Sequence, residues 1–149
     1  MGWAPSSRRR CSPERLSLKD HPEFNERWLQ DRLWDLLLQD PESTRRYEVE
    51  IQLGPTDKAH IIRTIEHWDI ERKRYPQYDH AAVIVAEDIT SRFLNVISPF
   101  NGAIPLTAIQ LAALRLGEHV SLLFTTVLDE VQLGPVDEDE EVRAVTDRA

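Results

Sequence analysis

The sequence predicts an α/β domain, a mixed β-sheet flanked by helices, and three stretches carry that prediction. AAVIVAE (81–87) is a nearly continuous apolar run rich in Val and Ile, as expected of a strand buried on both faces and covered by helices. RRYEVEIQLG (45–54) alternates instead, so a strand here turns Tyr47, Val49 and Ile51 one way and Glu48, Glu50 and Gln52 the other. Between them Ile61, Ile65 and Trp68 recur at helical spacing, with Ile62 widening the stripe.

The other elements follow in order. Phe24, Trp28 and Leu29 suggest a short amphipathic helix behind Asp20, continuing toward Leu33. LWDLLLQD, ended by the turn residues DPES, suits a strand that forms a hairpin with RRYEVEIQLG, and a helix through Leu38 is the second reading. Thr56 and Asp57 offer N-cap chemistry to the Ile61–Trp68 helix, which stops before Pro76. Asp88 or Thr90 then caps a helix through Phe93, Leu94 and Ile97 to the breaker SPFNG. AIPLTAIQLAALRLG reads as strand or helix, with strand preferred because HVSLLFTTVL is strand-like and LGEH suits a hairpin turn. The expected order is helix, strand, strand, helix, strand, helix, strand, strand.

Residues 1–20, rich in Ser, Pro and Arg, are expected to be a disordered basic arm outside the fold, 21–130 the single domain, and 131–149 an acidic tail. The net charge of −8 argues weakly against a nucleic-acid partner, because eight carboxylates and only two arginines lie in residues 129–149. No apolar run approaches the ~20 residues of a membrane span, and Cys11 is the only cysteine, which excludes an internal disulfide. A cytoplasmic protein is the expectation.

Chemistry concentrates on the hairpin. Asp35, near the end of its first strand, and Glu50, on the second, become neighbours if the strands pair antiparallel, and two carboxylates so placed suit Mg²⁺ or Mn²⁺. Gln52 projects beside Glu50 and would position a water or a phosphate. A solvent-facing strand side explains the same residues structurally, with Glu48 a weaker candidate. His60, Thr64, His67 and Glu71 form a polar stripe on the helix; a solvated face is the expected reading, and His60 is the member to watch if the helix packs beside Glu50. Arg72, Lys73 and Arg74, followed by Tyr75 and Tyr78, suit either phosphate contact or the helix dipole. Glu87 and Asp88 end the buried strand, where α/β sites often form.

An Asp at a strand end, a turn, a strand with an acidic and then a polar residue, a helix and an apolar strand resemble the PD-(D/E)XK superfamily of restriction-endonuclease-like nucleases. The likeness runs from about Trp28 to Leu128. RLWDLLLQDPE, YEVEIQLG, HIIRTIEHWDIERKRYPQYDH, AEDITSRFLNVI and VSLLFTTVLDE are similar to a bacterial group placed in that superfamily. The resemblance implies a restriction-endonuclease-like fold and metal-dependent hydrolysis of DNA. Asp35 and Glu50 would be the metal ligands, the Ile51 carbonyl a third, and Gln52 the occupant of the usual lysine position. Two departures stand out. Glutamine cannot supply the charge of lysine or take a proton, and the part preceding Asp35 is shorter than usual. They leave two other readings: an inactive binding or assembly module, a homodimer being one form of it, and a truncated chain without its own activity.

Overall fold

The computed structural model describes residues 12–21 and 35–131, and the architecture is α/β with a mixed sheet and two helices. Strands β1 (Glu14–Leu16), β2 (Asp35–Gln39) and β3 (Arg45–Pro55) are followed by α1 (Lys58–Arg74) and β4 (Asp79–Asp88). Helix α2 (Ser91–Ile97) and a 3₁₀ turn (Ser98–Phe100) then lead to β5 (Leu106–Leu116) and β6 (His119–Leu128). The expected helix through Phe24, Trp28 and Leu29, and the acidic run after Val131, lie outside the described residues.

The sheet is ordered β1-β5-β4-β3-β2, with β6 on β5. Strands β3, β4 and β5 run parallel, joined through α1 and α2, whereas β2 pairs antiparallel with β3, and β6 with β5. Two tight turns explain the antiparallel joins. Asp40 accepts from the Glu42 backbone N–H and the Ser43 hydroxyl between β2 and β3, and Gly117, at φ 64°, opens the two-residue turn between β5 and β6.

Alternation along β4 divides the interior into two layers. Ala82, Ile84 and Ala86 meet Ile61 and Trp68 of α1 and Ile97 of α2, while Val83 and Val85 pack on the opposite face with Leu18, Val49, Leu111 and Ala113. β4 is buried from His80 to Glu87, as its apolar run predicts. Ile62, expected to widen the buried stripe of α1, is exposed instead, one residue beyond the face that meets the sheet.

The basic arm needs correction. Glu14–Leu16, expected to lie outside the fold, pair antiparallel with Ala113–Arg115 of β5, and Leu18 is buried in the second layer. Alternation of Leu16 and Leu18 is too short to show through the surrounding Ser, Pro and Arg. What fixes the segment is Glu87, whose carboxylate accepts from the backbone N–H groups of Leu18 (2.5 Å), Lys19 (3.1 Å) and Gly54 (2.6 Å). Gly54 sits at φ 85°, and a Cβ there would stand 2.6 Å from Lys19 Cδ, so backbone conformation and close approach both call for glycine.

Candidate functional site

The polar side of β3 is dry. Glu48 is 0 % and Glu50 1 % exposed, so the alternative of a solvent-facing strand side does not explain them. They are covered by α1, whose stripe of His60, Thr64, His67 and Glu71 faces the sheet. His60, Thr64 and Glu71 are buried and His67 reaches Glu50, which corrects the expectation of a solvated helix face. Both elements have the periodicity their sequences predict, but the two polar faces bury each other because α1 crosses over β3 on its way to β4.

Each contact in this layer can be followed from one end of α1 to the other. At its start Asp57 caps the helix, accepting from the His60 backbone N–H at 2.8 Å, and that bond holds the Asp57 carboxyl below its ordinary value. Gln52 Nε2 donates to Asp57 Oδ2 (3.2 Å) and to the Pro55 carbonyl (2.9 Å). Gln52 thus fastens the strand end to the cap. One turn on, His60 Nε2 lies 3.1 Å from the Glu50 carbonyl, which can only accept, so Nε2 carries the hydrogen. Nδ1 is then an acceptor without a hydrogen-bond partner among the described residues, and burial holds the imidazole below its ordinary value, in the neutral form. Farther along, His67 Nδ1 stands 3.5 Å from Glu50 Oε1.

At the far end a pair appears that sequence reading missed. His80 Nδ1 is 2.6 Å from Glu48 Oε1, and its Nε2 is 2.8 Å from the Tyr75 carbonyl, with both side chains wholly buried. Both neighbours of the ring present oxygen. The Nε2 hydrogen goes to Tyr75, so the Nδ1 contact needs one further proton, held by His80 or Glu48; either way the pair is neutral overall. Burial pushes the Glu48 carboxyl above its ordinary value, against the pull of His80. The signal for His80 was its place at the head of the apolar run AAVIVAE, where a lone histidine would enter a dry layer.

The register brings the two expected metal ligands into line: Asp35 is directly opposite Glu50 on β2 and β3. Ile51 is the next β3 residue, opposite Val85. Among the described residues no three His, Cys, Asp or Glu side chains converge to hold a metal ion. The register thus sets two acidic positions side by side on adjacent strands. The basic trio is locally engaged. Arg72 and Lys73 pair with Asp69 at 3.2 and 2.5 Å, Arg74 pairs with Glu71 at 2.8 Å, and Arg72 also lies over Trp68. Asp88 does not cap α2; Thr90 holds that position, and Glu87 serves the clamp already described.

No described helix is long and apolar enough to cross a membrane. Comparison of the chain with known protein families, curated proteins and solved structures finds no match.

Proposed function

We propose that the chain is a restriction-endonuclease-like, metal-dependent nuclease domain in which Asp35 and Glu50 hold Mg²⁺ or Mn²⁺ and a DNA phosphodiester is hydrolysed beside them. The observation that carries this reading is the register of β2 on β3, with Asp35 across from Glu50 and Gln52 two residues farther along. When bound, the metal would polarise the phosphate and lower the pKa of a bound water. The chain's own residues do the holding. α1 buries Glu50, His60 takes its backbone carbonyl and His67 stands near its carboxylate, so Glu50 has little freedom to reorient. Gln52, with its Nε2 committed to the cap of α1, orients and does not abstract a proton.

A second reading, a nuclease-like binding or assembly module without catalysis, is favoured by that same commitment of Gln52 and by the burial of Glu50. Incubation of the full chain with labelled single- and double-stranded DNA, with and without Mn²⁺, separates the two. Under the first reading cleavage requires metal, and Asp35→Asn and Glu50→Gln each reduce it more than the roughly 100-fold that losing an outer-shell partner costs, with unchanged circular dichroism. Absence of both cleavage and calorimetric Mn²⁺ binding rejects the nuclease and leaves the module.

A further inference from the structure

β6 is the outer neighbour of β5, and from His119 to Thr126 every residue is exposed. An edge strand of this length is normally guarded by lysine or proline. HVSLLFTTVL has neither, and from Val120 to Leu128 it carries no charge at all. Its register on β5 puts Val120, Leu122 and Phe124 on the sheet face of Leu111 and Ala113, with Leu123 on the other face.

Phe124 is 59 % exposed, which leaves on the order of 100 Å² of an aromatic side chain in water. Val120 and Leu122 on the same face, at 49 and 52 %, bring its apolar total to roughly 300 Å², the lower end of the largest patch a monomer ordinarily shows, while Leu116 and Leu123, at 42 and 52 %, lie on the reverse face. Pairing along the edge would also satisfy the row of N–H and C=O groups that the outer side of the strand presents.

We propose that β6 is a dimer interface, pairing antiparallel with β6 of a second copy to join two sheets into one. The strand is complementary to itself. Directly opposed residues of an antiparallel pair share a face, so a two-fold axis must pass between two copies of one residue. With the axis at Leu122, Leu122 meets its own copy, Val120 meets Phe124 twice, and Ser121 meets Leu123 on the reverse face. No like charges oppose one another between Val120 and Phe124. The acidic run Asp137–Glu141 of the same chain is chemically unsuited to cover this uncharged strand.

The full chain is tested by light scattering at micromolar concentration, alongside Leu122→Lys and Phe124→Lys. Both positions are exposed in the single chain, so lysine is tolerated there, and circular dichroism checks the fold. The expected result is twice the chain mass for the parent and at least a tenfold weaker dimer for each variant. Disulfide trapping gives a second measurement: in a Cys11→Ser background, Leu122→Cys forms a linked dimer and Ser121→Cys, which faces Leu123, does not. A parent that is monomeric throughout, or a dimer indifferent to both lysines, overturns the proposal. Neither result depends on nuclease activity.

Discussion

Helix α1 makes two contacts with one sheet, and they are built from opposite materials. On β4, Ile61 and Trp68 lie over Ala82, Ile84 and Ala86, a layer that depends on area and shape. On β3, one strand over, His60, Thr64, His67 and Glu71 lie over Glu48 and Glu50, with His80 of β4 closing the layer against Glu48, and each polar atom that lacks a partner there costs free energy. The apolar contact supplies stability and tolerates substitution gradually. The polar one supplies geometry and fails abruptly, since the cost of a half-broken pair exceeds the net worth of the intact one.

The largest effect is expected from breaking the Glu48–His80 pair on one side. His80→Ala should destabilise the fold by about 3–5 kcal/mol in urea unfolding, because Glu48 stays behind in a dry layer. Replacing both residues by Leu should recover most of that loss, and a double variant as weak as the single one would show that the polar layer is as shape-dependent as the apolar one. In the apolar contact Ile84→Ala should cost about 2–5 kcal/mol, without any partner change that rescues it. Below these comes the cap: Asp57→Ala should cost about 1 kcal/mol in the same assay.

pH distinguishes the two contacts further. His60 has a folded value below its ordinary 6.5, so its contribution is complete above 6.5 and is lost as pH falls through the lowered value. Glu48 has the opposite sign. Its folded value is raised above 4.5, so its contribution is present below 4.5 and is lost as pH rises through the raised value. His60→Gln should therefore flatten the decline in melting temperature on acidification below 6.5, whereas Ile84→Ala should shift the whole curve without changing its shape. A His60→Gln profile parallel to the parent would remove the histidine from the account. Smallest of all, Lys73→Ala, at an exposed pair with Asp69, should leave the melting temperature within experimental scatter at moderate salt.

Periodicity made much of this legible. Alternation in 45–54 identified the face shared by Glu48, Glu50 and Gln52, and the turn at DPES implied the hairpin that aligns Asp35 with Glu50. The spacing from His60 to Glu71 identified one face of α1. Neither pattern revealed that these two faces meet, because a repeat tells which residues lie together and not what lies across from them. His80 escaped for the same reason: its partner is 32 residues away on another strand. Leu16 and Leu18 escaped because two alternating residues cannot announce a strand.

The Glu87 clamp bears on the order in which the chain assembles. Its bonds to Leu18 and Gly54 span 69 and 33 residues, and Glu14 pairs with Arg115 at the opposite end of the described chain. Such closures are entropically costly until β3, β4 and β5 already stand side by side. The N-terminal strand is thus expected to dock last and to let go first. In native-state hydrogen exchange its amides should report an opening of lower free energy than those of β4, and the carboxylate that seals the fold also sets where it begins to come apart.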